Sequence, residues 1–221
     1  MKVTYEPQST LLDNEGFKSV KELPMEKMER IMKELAEVQA ELGYTGGTDN
    51  MINLYHEGKV GEILGFNMLN LNKNKMDCKV DGEGLWLEVK STTISRAKPG
   101  GNFNDLTLAK AETFMDPRVF VAFAVWIDTN TLDYIVFGKG TALYVDMRKA
   151  VKRNKKGSRC VLTVSVPVAI NKYDFDVIAV SKSKEEVLNS IQSISPKAEK
   201  AARKTIISID EFDLTKYMDK K

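Results

Sequence analysis

Residues 74–91, Asn74-Lys75-Met76-Asp77-Cys78-Lys79-Val80-Asp81-Gly82-Glu83-Gly84-Leu85-Trp86-Leu87-Glu88-Val89-Lys90-Ser91, decide how the chain is read. Met76, Cys78 and Val80 alternate with Asp77, Lys79 and Asp81. Beyond the glycines, Leu85, Leu87 and Val89 alternate with Trp86, Glu88 and Lys90. A period of two on each side predicts two half-buried strands. Gly82-Glu83 suits a two-residue type II′ loop, because its first central position needs a positive φ. That loop sets a register in which Val80 pairs with Leu85, Cys78 with Leu87 and Asp77 with Glu88. A change of one residue in loop length would shift it. The apolar side chains then share one face, and Asp77, Glu88 and Lys90 share the other, expected to be the wet one.

Opposed residues on a sheet face lie roughly 5 Å apart at Cβ, and like charges there repel. Two carboxylates at that spacing call for positive charge between them. A divalent cation is the simplest answer, with Lys90 as a further positive neighbour. Asp81 is also on the polar face, but at the turn, opposite Gly84 and far from Glu88.

An Asp followed about ten residues later by Glu-x-Lys resembles the motif of the PD-(D/E)XK nuclease superfamily, which includes many type II restriction endonucleases. The matching residues are Asp77 and Glu88-Val89-Lys90; Met76 stands where many members have proline. The resemblance implies that Asp77, Glu88 and the Val89 carbonyl hold Mg²⁺, with Mn²⁺ as a possible substitute. It implies that Lys90 orients or activates the attacking water. Members of the superfamily often carry a Glu on the helix before the first strand, and Glu62 matches that position as a further catalytic and metal-binding acid.

Bulk properties are those of an ordinary globular chain. It has 221 residues, 43% of them hydrophobic, and a formal charge of +2. That length supports a full core. A charge so near zero gives no global signature of nucleic-acid binding, although it leaves room for a local basic stripe. Cys78 and Cys160 lie far apart without metal-ligand spacing, which argues for free thiols over a zinc site or a disulfide framework. His56 is the only histidine, which argues against a serine-hydrolase triad. No apolar run is long enough to span a membrane, and Met1–Pro7 lacks the apolar core of a signal peptide, so a cytoplasmic location is expected.

Taken in order, residues 18–42 read as a long helix, with Val20, Leu23, Met28, Ile31, Met32, Leu35, Val38 and Leu42 near helical spacing. This helix is expected to pack on the core or on a twin subunit. A second helix is expected from Asn50 to Leu64, where Gly58, Gly61 and Gly65 form a stripe that permits close approach to the sheet. Glu62 at the edge of this stripe either faces the hairpin or is a solvated helix charge. Residues 66–71 read as a first strand. Residues 91–105 read as a long polar loop carrying Arg96, Lys98, Asn102 and Asn104, types that can contact phosphates or base edges; an ordinary flexible loop is the other reading. A helix over 106–115, capped by Asn104 or Asp105, carries Lys110 on its flank. Val119–Ile127 is apolar on both faces and reads as a central strand. Leu132–Phe137 reads as another strand.

The order helix, three strands, helix, strand resembles the αβββαβ core of the same superfamily. The expected fold is therefore α/β, restriction-endonuclease-like, with a mixed central sheet flanked by helices. One nuclease domain is expected over 1–221: an N-terminal helical extension at 1–49, a catalytic core at 50–137 and a C-terminal β-rich elaboration at 138–221. In that last part, residues 140–152 suggest a helix, 160–170 and 172–181 read as strands, and Ser183-Lys184-Glu185-Glu186 is a capping box. Residues 148–159 hold seven basic side chains in twelve positions and no acid. Either a solvated hairpin tip or a phosphate-contacting arm follows, the latter using Arg148, Lys152, Arg153, Lys155 and Lys156.

The resemblance thus implies a Mg²⁺-dependent endonuclease acting on double-stranded DNA. A sequence-specific restriction enzyme working as a homodimer is the first expectation. A repair or junction-resolving nuclease keeps the fold and changes the substrate. A non-catalytic nucleic-acid-binding module is the alternative from another class.

Overall fold

The structure, a computed structural model, describes residues 24–41, 51–68, 76–80, 84–95, 98–154 and 160–218. Its organising element is strand β5 (Val119–Trp126), in which every residue is buried. An apolar run without alternation belongs in the middle of a sheet covered on both faces. On one side it pairs in parallel with β3 (Leu85–Thr93), placing Glu88 beside Val121 and Lys90 beside Phe123. On the other it pairs antiparallel with β6 (Leu132–Lys139). β2 (Cys78–Val80) and β1 (Asn67–Met68) extend the sheet beyond β3, and β8 (Asp176–Ala179) and β9 (Ile207–Ser208) extend it beyond β6. Among the described residues this gives one mixed sheet in the order β1-β2-β3-β5-β6-β8-β9.

β2 and β3 pair with Val80 opposite Leu85 and Cys78 opposite Leu87, as the alternation predicts. The turn at 81–83 lies outside the described residues. Met76 departs from the expected pattern. It packs with the core on the opposite face from Leu85, Leu87 and Val89, because residues 76 and 77 form a bend and the strand begins only at Cys78.

Helices cover both faces. One core gathers Val60 of α2 (Met51–Ile63) and Leu64 just after it with Leu85, Leu87, Val89, Phe120, Trp126 and Phe137. Full burial of each such side chain stabilises by roughly 1.5–3 kcal/mol. The other core sets Val121, Phe123 and Val125 against residues of α3 (Leu108–Thr113), α4 (Thr141–Arg153), α5 (Val166–Tyr173), α6 (Lys184–Ile194) and α7 (Pro196–Ala202). The protein is thus a mixed α/β fold with a partly parallel central sheet flanked by helices. α1 (Pro24–Glu41) keeps Ile31 and Val38 exposed at 38% and 45%; the rest of the helix expected at 18–42 lies outside the described residues. No helix among the described residues is long and apolar enough to cross a membrane.

Several expectations need correction. The C-terminal part is not β-rich: α5, α6, α7 and a short α8 (Thr215–Met218) dominate it. The β-branched run at 160–170 hides a helix, because Pro167 sits in the first turn of α5 behind the N-cap Ser165, where proline costs no hydrogen bond. The loop expected at 91–105 is largely strand: β3 continues to Thr93, and β4 (Gly100–Phe103) pairs with β7 (Leu162–Ser165) in a separate two-stranded ribbon. α3 is capped by Thr107, whose side chain accepts from the Lys110 N–H, and not by Asn104 or Asp105. Gly65 does not lie inside α2. Its φ is +78°, and the Gly65 and Phe66 N–H groups donate to the Glu62 and Gly61 carbonyls, which is a Schellman termination. Cys160 is a buried free thiol.

Candidate active site

The β2–β3 ladder ends at Cys78 opposite Leu87. The next β3 N–H that faces β2 belongs to Val89, and the Asp77 carboxylate accepts it, 2.7 Å from Oδ2. A side chain thus finishes the edge where the partner strand bends away. Glu88 is the β3 residue before Val89, and its charge acts on Asp77. From two residues on, the Lys90 ammonium donates to Glu88 Oε1 at 2.6 Å and to the Val89 carbonyl at 3.1 Å. It also lies 5.3 Å from the centre of the Phe103 ring. Asp77, Glu88, Val89 and Lys90 therefore form one cluster.

The face that carries this cluster is not open to water, contrary to the expectation from alternation. Glu88 is 4% exposed. Strand β4 lies over Lys90 so closely that a Cβ on Gly101 would run into the lysine Cβ and Cγ. Gly101 is what lets the ribbon approach. Access comes instead through a polar cleft of about 620 Å³ beside the cluster. Val89 and Lys90 line it, with Glu57 from α2 on one side and Lys98, Asn102, Asn104 and Thr163 on the other.

Glu57 is the acid that α2 brings to the cluster. Burial, with Asp77 and then Glu88 adding repulsion against the opposing pull of Lys90, pushes its carboxyl up to about 8. Asp77 is pushed up to about 7 by burial and by Glu88, while Lys90, the Val89 N–H and Lys110 pull the other way. Burial disfavours the Lys90 ammonium, but Glu88, Asp77 and Glu57 outweigh it and hold its pKa above the ordinary lysine value. Glu62 is not brought to the cluster. Its side chain is 71% exposed and pairs with Lys59 at 2.8 Å.

The structure gathers some of the expected nucleic-acid contacts and separates others. Lys98, Asn102 and Asn104 share the cleft with Lys90. Lys110 donates to the Asn104 carbonyl at 3.2 Å and its charge is felt by Asp77. Arg148, Lys152 and Arg153 are exposed on α4, with Arg148 donating to the Tyr144 hydroxyl, and they do not line this cleft. Arg96, Lys155 and Lys156 lie outside the described residues. Sequence reading passed over Glu57 and Thr163. The signal for Glu57 was present: Leu54, Glu57, Gly61 and Leu64 recur at intervals of three and four, so a carboxylate sits in the buried stripe of α2.

Among the described residues, no group of three or more His, Cys, Asp or Glu side chains stands in metal-ligand geometry. The donor chemistry nonetheless fits a hard cation. Asp77, Glu88 and the Val89 carbonyl offer only oxygen, and Mg²⁺ commonly takes one or two carboxylates and keeps several waters. The raised carboxyls of Glu57 and Asp77 reflect first their burial and then the repulsion among the acids of the cluster. No protein-family model matches the chain, and no curated protein matches it.

Proposed function

We propose that the chain is a Mg²⁺-dependent endonuclease of the PD-(D/E)XK type that hydrolyses phosphodiester bonds in double-stranded DNA. The observation that carries this reading is the meeting of Asp77, Glu88 and Lys90 at one point of β3, beside a cleft lined by Lys98, Asn102 and Asn104. The order α2, β1, β2, β3, α3, β5 supports a restriction-endonuclease-like core, with β4 as an insertion before α3.

In this reading Asp77, Glu88 and the Val89 carbonyl hold the ion. A bound Mg²⁺ supplies charge neutralisation at the phosphate and the leaving oxygen. Lys90, on the cleft wall, turns from Glu88 toward a phosphate oxygen and offsets the charge that builds there. Glu57 lines the same cleft, and a carboxyl titrating at about 8 can exchange a proton with water near neutral pH. The finer reading is a sequence-specific restriction enzyme cutting as a symmetric dimer.

One observation favours a non-catalytic binding module: the Lys90 ammonium is already engaged by Glu88 and the Val89 carbonyl. Incubating supercoiled plasmid and a four-way junction with the protein, in Mg²⁺ and in EDTA, separates the readings. Mg²⁺-dependent linear plasmid with discrete mapped ends supports the restriction enzyme. Cutting confined to the junction transfers the reading to a structure-specific nuclease. Binding without cutting of either substrate leaves the binding module.

A further inference from the structure

The β4–β7 ribbon stands apart from the main sheet, with Asn102 opposite Thr163 and Gly101 opposite Val164. Its position is fixed by backbone contact, since Gly101 seats it directly on Lys90. The next residue, Asn102, is exposed and lines the cleft with Lys98, Thr163 and Ser165. Among the described residues, the ribbon side of the cleft contributes no carboxylate; Glu57 is on the opposite wall.

The Asn102 amide is oriented across the ribbon. Thr163 Oγ1 donates to Asn102 Oδ1 at 2.8 Å. This occupies one of the two lone pairs of the amide oxygen and leaves both Nδ2 hydrogens as the group's donors. Reading adenine with asparagine takes both ends of the amide, the oxygen accepting from N6 and the nitrogen donating to N7. A phosphate oxygen needs only a donor. With Lys98 on the same wall, the chemistry favours the sugar–phosphate backbone over a base edge.

We propose that the β4–β7 ribbon is a backbone-tracking wall, in which Lys98 and the Thr163-held Asn102 amide bind a phosphate next to the one at Lys90 without reading sequence. This rests on the endonuclease reading and assigns how the substrate strand is held in that site. Sequence discrimination then comes from other surfaces. Thr163, Asn102 and Lys98 are all exposed, so their substitution leaves the core intact.

The test is fluorescence anisotropy with two labelled duplexes of unrelated sequence, in EDTA and across a salt series, for wild type, Asn102→Asp, Thr163→Val and Lys98→Gln. Thermal midpoints check that each variant is folded. Asn102→Asp places an anion against the phosphate and is expected to weaken binding about tenfold or more, equally on both duplexes. Thr163→Val releases the amide and gives a smaller loss, again equal on both. Lys98→Gln lowers the slope of log affinity against log salt by about one. Wild-type affinity in folded Asn102→Asp and Lys98→Gln overturns the proposal, as does a loss confined to one duplex, which marks base reading. A wild type that cuts plasmid while these variants bind normally sinks this inference alone. A wild type that binds neither duplex overturns the proposal, and one that in addition cuts no plasmid in Mg²⁺ sinks the endonuclease reading with it.

Discussion

Lys90 and Glu88 point to the same side of β3 and meet at 2.6 Å, with side-chain exposures of 19% and 5%. The pair is largely buried, so each charge depends on the other. Removing one partner of such a pair leaves an uncompensated charge and costs about 3 kcal/mol or more. Lys90→Met is therefore expected to lose about 3 kcal/mol in urea unfolding in EDTA. Mg²⁺ should restore part of that loss by taking up the charge of Glu88, while cutting stays absent. Equal stability of Lys90→Met and wild type in EDTA would show that the ammonium and the carboxylate do not depend on each other.

Glu57 and Glu62 lie five positions apart on α2 and have different surroundings. Glu57 lines the cleft and interacts with Asp77, Lys90 and Glu88. Glu62 is exposed and paired with Lys59, an interaction of the kind worth about 0–1 kcal/mol. Glu57→Gln should lower the cutting rate about a hundredfold, within the range removed with a general acid or base. Glu62→Gln should change it by less than about twofold, as expected of an exposed pair. Initial rates on supercoiled plasmid decide the matter, and the reverse ranking would return the role to Glu62.

This contrast shows how much of the site could be read in advance. The hairpin register was legible, because Cys78, Val80, Leu85 and Leu87 alternate cleanly and pair as the alternation requires. The placing of Glu88 and Lys90 on one face followed from it, whereas Asp77 joins them from the bend before β2, through the Val89 N–H. The helix acid was not, because Gly58, Gly61 and Gly65 suggested a stripe with Glu62 at its edge. Gly65 is instead the left-handed residue that ends α2, and the buried stripe runs through Leu54, Gly61 and Leu64. The roof over Lys90 was hidden for a related reason. Gly100 and Gly101 look like loop residues, yet both are needed for close packing, against Val164–Ser165 and Lys90 respectively. Long-range contact, not local propensity, decides such positions.

The raised carboxyls give the metal-free protein a pH dependence of definite sign. Asp77 stands at about 7 against an ordinary 3.8, and Glu57 at about 8 against 4.5. Both bind their proton more tightly folded than unfolded. From about pH 4 upward the folded chain therefore holds more protons, and stability falls as pH rises through about 7 and 8. Thermal midpoints in EDTA should decline across that window, with Glu57→Gln flattening the upper part. Mg²⁺ should raise the midpoint more at the alkaline end, where it no longer competes with protons. A Mg²⁺ effect that is larger at the acid end would contradict a site built on these carboxyls.

A nucleolytic centre in this protein requires both Asp77 and Glu88. The most direct measurement is Mg²⁺-dependent cutting of supercoiled plasmid by wild type, Asp77→Asn and Glu88→Gln, each confirmed folded by its thermal midpoint and assayed for duplex binding in EDTA. Wild type should cut, and both variants should bind DNA while losing all detectable cutting. Folded variants that cut at the wild-type rate, or a wild type that binds DNA and never cuts it, would contradict the account.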